Sequence, residues 1–256
     1  MNEPKKSLGQ HWLKDKAALA HIVDLAELTE SDTVLEIGPG MGDLTKLLAA
    51  KAGKVVAVEL DEKLAANLPK ADNLQAVSAD ILEYDLTELP ASYKVVANIP
   101  YYLTGKLLRT LIESSNSPSK MVLLLQKEVA QRITAQPGDM SVLAVSVQLK
   151  YQTKLGEGIP ASLFHPPPKV DSQVLVLDKR EASLFEITDE KQFFQVVKAG
   201  FSGRRKKLRG SLSAGLRIDK PEADELLEKA GVDGNLRAQN LSLEDWHKIC
   251  RALQAG

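Results

Sequence analysis

The sequence predicts an α/β fold: a Rossmann-like, doubly wound domain over residues 1–181, followed by a small all-α domain over residues 182–256. Three observations carry this expectation. Apolar runs of strand length alternate with helix-period segments through roughly the first 150 residues, the pattern of a parallel sheet covered by helices. A glycine-rich turn directly follows the first clear strand. Beyond Lys179 and Arg180 the periodicity is helical only.

In order, TVLEI (33–37) reads as a strand and DLTKLLAAK (43–51) as a helix with Leu44, Leu47 and Leu48 on one face. KVVAVE (54–59) is a second strand, and a helix over 62–68 stops before Pro69. LQAVS (74–78) and YKVVAN (93–98) are further strands, with a helix over 104–113 after them. MVLLLQ (121–126) is continuously apolar, as a strand buried on both faces should be. Residues 127–134 read as a helix, whereas SVLAVSVQ (141–148) fits helix or strand. Strands over 151–155 and 172–177 flank a proline-rich loop, 159–169. Residues 193–201, 221–230 and 243–253 then read as helices. Pro221 suits a helix start and Gly231 a stop. Ser242 with Asp245 resembles a capping box, and Trp246, Ile249, Cys250 and Leu253 form an apolar stripe best explained as a packed core face.

Composition narrows the function. No apolar run approaches the roughly 18–20 residues of a membrane span. The polar start, MNEPKKSLGQHWLKDK, does not read as a secretory signal. A single cysteine, Cys250, precludes an internal disulfide and fits a reducing cytoplasm. Four scattered histidines and one cysteine predict no metal site. The net charge of −1 argues against a nucleic-acid partner, but its distribution argues for one. Seven basic residues and no acidic one lie between Lys198 and Arg217, densest at Arg204, Arg205, Lys206, Lys207 and Arg209. Such segregation is the footprint of phosphate contact, although a solvated helix face explains basic runs about as well.

The turn EIGPGMG (36–42) opens a helix, and its glycines let the backbone approach a ligand closely. The spacing Gly38, Gly40, Gly42 is not that of a dinucleotide site. Glu36 within it is hostile to pyrophosphate and compatible with a cationic or zwitterionic ligand. S-adenosylmethionine is such a ligand, with a sulfonium, an amino acid and no phosphate. Glu59 ends the second strand, where a carboxylate accepts from ribose hydroxyls. Asp80, followed by Ile81, lies just after the third, where it can accept from the cofactor's adenine amino group. Either acid alone is better explained by a helix cap or a solvated loop; three strand ends in succession, each with the expected group, reverse that balance in favour of the cofactor.

NIPY (98–101) ends the fourth strand. An adenine amino nitrogen is a poor nucleophile because its lone pair is delocalised into the ring. The Asn98 amide oxygen and a backbone carbonyl, that of Pro100, can accept its two hydrogens. That favours the geometry in which the lone pair is freed as the new bond forms. Tyr101 offers a face for an unstacked base.

With these motifs on the page, the chain resembles the rRNA adenine N6-dimethyltransferases of the KsgA type over nearly its whole length. The resemblance rests on LGQHWL (8–13), EIGPGMG, Glu59, Ala79-Asp80, NIPY, FHPPPKVDS (164–172), FSGRRKKLRGSL (201–212) and RAQNLS (237–242). It implies a class I methyltransferase domain over 1–181 and an rRNA-binding helical domain over 182–256. It implies S-adenosylmethionine contacts by His11, Leu13, Glu36, Gly38, Gly40, Glu59, Asp80, Ile81 and Asn98. His11 departs from the commoner Asn, which leaves its contact open between backbone and side chain. Trp12 stands where Phe is usual and is expected to pack in the core. Phe164 would stack on the target adenine opposite Tyr101, although a buried anchor fits the residue equally. The implied substrate is a pair of adjacent adenosines in the 3′-terminal hairpin loop of 16S rRNA, each dimethylated, in a role tied to small-subunit biogenesis. Lys198, Arg204, Arg205, Lys206, Lys207 and Arg209 would hold rRNA backbone. The small ribosomal subunit is the expected partner of a monomeric, cytoplasmic enzyme. The competing readings are a large-subunit (23S) adenine methyltransferase of the macrolide-resistance type and a DNA adenine methyltransferase, which Ile99 disfavours. A non-catalytic RNA-binding assembly factor on the same fold is a further alternative.

Overall fold

The computed structural model describes residues 9–203 and 205–255. The chain divides into two compact units. One runs up to Gln131 and resumes over Tyr151–Lys179; the other takes Arg132–Lys150 and the chain from Arg180 onward.

The first unit is built on a seven-stranded sheet. Its strands are β2 (Thr33–Ile37), β3 (Lys54–Glu59), β4 (Leu74–Ser78), β5 (Lys94–Asn98), β6 (Lys120–Gln126), β7 (Tyr151–Ile159) and β9 (Ser172–Lys179), in the order β4-β3-β2-β5-β6-β9-β7. β2 to β6 pair in parallel, as the alternating pattern predicts. The sheet is nevertheless mixed, because β9 runs antiparallel to both β6 and β7. No α-helix separates β7 from β9, and a strand that returns without a helical crossover pairs antiparallel. Met121 to Leu125 are wholly buried, which accounts for the unbroken apolar run.

The helices of this unit include α1 (Lys16–Leu25), α2 (Asp43–Ala49), α3 (Glu62–Ala66) and α4 (Thr104–Glu113), and α5 (Lys127–Ile133) begins in it. Asp15 caps α1 by accepting the Ala18 N–H at 2.8 Å, and Leu19, Ile22 and Val23 bury its inner face. A two-stranded ribbon lies apart from the main sheet. In it β1 (Trp12–Leu13) pairs antiparallel with β8 (Phe164–His165), Leu13 facing Phe164 in register.

The second unit contains α6 (Val142–Lys150), α7 (Glu190–Phe201), α8 (Leu208–Leu216), α9 (Lys220–Ala230) and α10 (Leu243–Gln254). The sequence places the boundary at 181/182 and residues 132–150 in the first domain; the fold assigns 132–150 to the helical unit. Met140, Ala144, Val145 and Leu149 bury in one cluster with Phe193, Val196, Leu212 and Trp246, so the ambiguous segment 141–148 is a helix of this core. The Arg180 Nε donates to the Gln148 carbonyl at 3.1 Å and ties the returning chain to α6. The Ser242–Asp245 capping box is present, and Gly231 ends α9 at φ +65°. Among the described residues, no helix is long and apolar enough to cross a membrane.

Candidate active site

A cleft opens at the carboxyl ends of β2, β3, β4 and β5, where the strand order reverses around β2, the position at which open α/β sheets take their ligands. Its cavity volume is about 150 Å³.

The glycine turn is held in a form that only glycine adopts comfortably. Gly38 and Gly40 have φ of +65° and +59°. A Cβ on Gly40 would lie 2.7 Å from Trp12 Nε1, so the indole closes directly over the turn. Glu59, buried at the end of β3, clasps it from the other side. One carboxylate oxygen accepts the Gly40 N–H at 3.0 Å and the other accepts the Asp61 N–H at 2.9 Å. Each oxygen keeps a lone pair for a further donor. Asp80 accepts the Leu82 N–H at 2.9 Å, and Ile81 beside it forms an apolar wall.

Glu36 is the anomaly. It is 1% exposed, and neither carboxylate oxygen has a hydrogen-bond partner. Burial pushes its carboxyl up to about 8; the Glu59 charge adds to this, and the Thr45 hydroxyl, close but outside bonding geometry, opposes it. Glu36 lines a smaller recess with Leu13 that shares Trp12, Gly38 and Asn98 with the main cleft. An orphaned buried carboxylate is costly unless a cation completes it. Beside it lie a turn with no room for a side chain at Gly40, acids at two strand ends and the apolar walls of Val58, Leu60 and Ile81. This set fits S-adenosylmethionine.

Asn98 ends β5 with its amide oriented. Its Nδ2 donates to the His11 carbonyl at 2.9 Å, and a carbonyl only accepts, so the nitrogen is assigned there and Oδ1 is the uncommitted end. The Pro100 carbonyl already accepts the Leu103 N–H at 3.0 Å, which leaves it one lone pair. The Tyr101 hydroxyl lies 2.8 Å from the Ser172 Oγ at the start of β9, and burial raises its pKa. The His11 ring stacks on Tyr101, centroids 5.9 Å apart and planes at 22°.

The fold thus brings His11, Gly38, Gly40, Glu59, Asp80, Ile81, Asn98, Pro100 and Tyr101 to one cleft, with Leu13 and Glu36 in the adjoining recess. Phe164 is not in it. Its side chain is 4% exposed and packs in the core with Leu13 and Leu19, so stacking on a base would require the ring to leave that core. Trp12, expected in the core, instead lines the cleft. Leu60 and Tyr102, missed in the sequence, are exposed apolar side chains on the cleft wall; an apolar residue just beyond a strand end is the one local signal they carry. In the helical unit Lys198, Arg205, Lys206, Lys207 and Arg209 are exposed, and Lys207 Nζ donates to Asn235 Oδ1 at 2.9 Å. Arg204, and Leu8 of the first motif, lie outside the described residues.

A family model described as ribosomal RNA adenine dimethylase matches residues 1–255. The chain belongs to the ribosomal RNA adenine dimethylase family. Curated relatives agree. A protein of Dehalococcoides mccartyi named ribosomal RNA small subunit methyltransferase A is 41% identical, over 96% of this chain and 87% of the relative. One of the same name from Nostoc sp. is 38% identical over 99% of each chain. Among solved structures, a dimethyladenosine transferase from Plasmodium falciparum superposes with a TM-score of 0.80 at 27% identity, covering 93% of this chain and 95% of that one. The 23S rRNA methyltransferase ErmE superposes at 0.78 and 29% identity, covering 95% and 99%. Members of the family take their methyl group from S-adenosylmethionine.

Proposed function

We propose that this family member dimethylates N6 of two adjacent adenosines in the 3′-terminal hairpin loop of 16S rRNA, acting as a cytoplasmic monomer on the small ribosomal subunit. The observation that carries the reading is the Asn98 amide, whose nitrogen is tied to His11 and whose oxygen is free at the cleft. Small-subunit specificity draws its support from the names of relatives near 40% identity, against 29% for the large-subunit enzyme.

Gly38, Gly40, Glu36, Glu59, Asp80 and Ile81 would hold the cofactor, with Leu13 behind the recess and the His11 backbone beside it. Bound there, S-adenosylmethionine supplies an electrophilic methyl carbon on a positively charged sulfur. The chain's part is to present the nucleophile. Asn98 Oδ1 accepts one N6–H, and the remaining lone pair of the Pro100 carbonyl accepts the other. Both bonds strengthen as the nitrogen turns tetrahedral and its hydrogens gain positive charge, so they favour the transition state over the ground state. The Tyr101 ring, pinned at its hydroxyl by Ser172, is a fixed stacking face for the base. The methylated amino group is acidic enough to lose its proton without a strong base. Trp12, Leu60 and Tyr102 add apolar surface to the cleft wall.

Arg205, Lys206, Lys207 and Arg209 supply phosphate contacts, which position the protein while the shape of the subunit selects the site. The test is incubation with labelled S-adenosylmethionine and undermethylated small subunits, large subunits or DNA, followed by mass spectrometry of the nucleosides. N6,N6-dimethyladenosine in the small subunit alone is expected. Product in large subunits or DNA alone refutes the reading.

A further inference from the structure

We propose that His11 is a positioning residue for methyl transfer, holding the Asn98 amide and the Tyr101 ring in register with one another; this rests on the reading of the cleft given above. One residue makes three separate contacts with the catalytic pair and its surround. Its carbonyl accepts Asn98 Nδ2 at 2.9 Å. Its ring lies nearly parallel to Tyr101 at 5.9 Å. Its Nδ1 lies 2.7 Å from the Pro166 carbonyl, and since that oxygen only accepts, Nδ1 carries the proton.

The first contact decides chemistry. The terminal torsion of an Asn side chain is soft and roughly two-fold. A flipped Asn98 would offer its NH₂ to an adenine amino group, donor against donor, and the acceptor needed in the transition state would be lost. The His11 carbonyl selects the productive orientation. The carbonyl is itself held because the His11 ring is fixed on two sides, by Tyr101 and by Pro166 in the loop before β9. Tyr101 gains from the same clamp: Ser172 holds its hydroxyl, and His11 covers one part of its surface and leaves the rest for a base. With Nδ1 committed to Pro166, Nε2 is the ring nitrogen left for any other ligand, and the His11 carbonyl keeps one lone pair.

The two halves of the clamp can be removed separately. Asn in place of His puts an amide nitrogen near the position of Nδ1 and keeps the Pro166 bond without the stacked ring. Phe keeps the ring without the donor. Purified wild type, His11→Ala, His11→Asn and His11→Phe are compared for kcat on undermethylated small subunits, for KM, for equilibrium affinity for S-adenosylmethionine and for melting temperature. In His11→Ala, kcat at saturation falls by about tenfold or more, as expected for a misplaced catalytic group, while cofactor affinity stays within about twofold, less than one hydrogen bond is worth. His11→Asn and His11→Phe each recover part of kcat. The proposal is overturned if cofactor affinity falls with kcat unchanged, which would make His11 a cofactor contact. It is also overturned if kcat and melting temperature fall together with no recovery in either conservative variant, or if kcat is unchanged throughout. Absence of product from the wild type would instead refute the functional reading, and is seen in the control alone.

Discussion

Glu36 should make cofactor binding expel a proton. Its carboxyl is buried without a partner, and its pKa rises from the ordinary 4.5 to about 8. At pH 7 about nine-tenths of ligand-free molecules therefore carry the proton. A ligand that brings a cation to the recess favours the carboxylate, so binding at pH 7 releases close to one proton. Affinity then improves as pH rises. Between pH 6 and pH 7.5 the gain is roughly twentyfold, about 2 kcal/mol, if the ligand lowers the pKa well below 6. The ligand-free protein shows the opposite trend. A folded pKa raised above the unfolded value contributes stability that is complete below about pH 4.5 and lost as pH rises through 8. Titration calorimetry in two buffers of different ionisation enthalpy counts the proton, and thermal melts from pH 5 to 8 read the stability slope. Glu36→Gln should abolish the proton release and remove the Glu36 contribution to the stability slope, leaving that of His247. Wild-type binding that releases no proton and is flat in pH refutes the argument, as does an unchanged slope in Glu36→Gln.

Other outcomes follow from the same geometry. Asn98→Ala should lower kcat by about 10²-fold or more, the usual cost of a lost transition-state acceptor or donor, with cofactor affinity partly retained; single-turnover rates and equilibrium dialysis check this. Replacing Arg205, Lys206 and Lys207 with Gln should weaken small-subunit binding and flatten the plot of log affinity against log salt, by up to about 0.7–0.9 per lost phosphate contact; an unchanged slope assigns these side chains a purely structural part. Gly215→Val should destabilise the helical unit by about 1–3 kcal/mol or more, because even a Cβ at Gly215 would lie 2.5 Å from the Ala199 Cα; thermal denaturation reads the loss. Trp12 lines the cleft whereas Trp246 is wholly buried in the helical core, so cofactor binding should change the fluorescence of the wild type but not of Trp12→Phe.

Much of the site was legible because its residues sit at strand ends, and a strand end is a local feature. Glu59 and Asn98 each close an apolar run and Asp80 follows a third strand, and parallel pairing of those strands brings the two acids and the amide to one edge. Glu36 was legible as an acid in a glycine turn, but its lack of any partner was not. Phe164 stayed open in the sequence because an aromatic before three prolines reads equally as wall or anchor; its ring packs with Leu13, some 150 residues away, and Leu19. The pairing of β1 with β8 draws Trp12 over Gly40 and out of the expected core.

The alternation of apolar runs, the glycine turn and the strand-end polar groups were determined by the sequence alone, because period and punctuation act over a few residues. The helix over Lys16–Leu25 carries local signals of the same kind, Asp15 as a cap and apolar residues at 18, 19, 22 and 23. Only the tertiary structure decided α8, whose LRGSLSAGL carries two glycines and no side-chain cap. It is helical because Leu208 and Leu212 bury in the common core and Gly215 admits the close approach of α7. Likewise only the fold gave residues 132–150 to the helical unit and laid His11 between Asn98, Tyr101 and Pro166. Contacts between residues so distant along the chain depend on packing and loop closure, which no local pattern encodes.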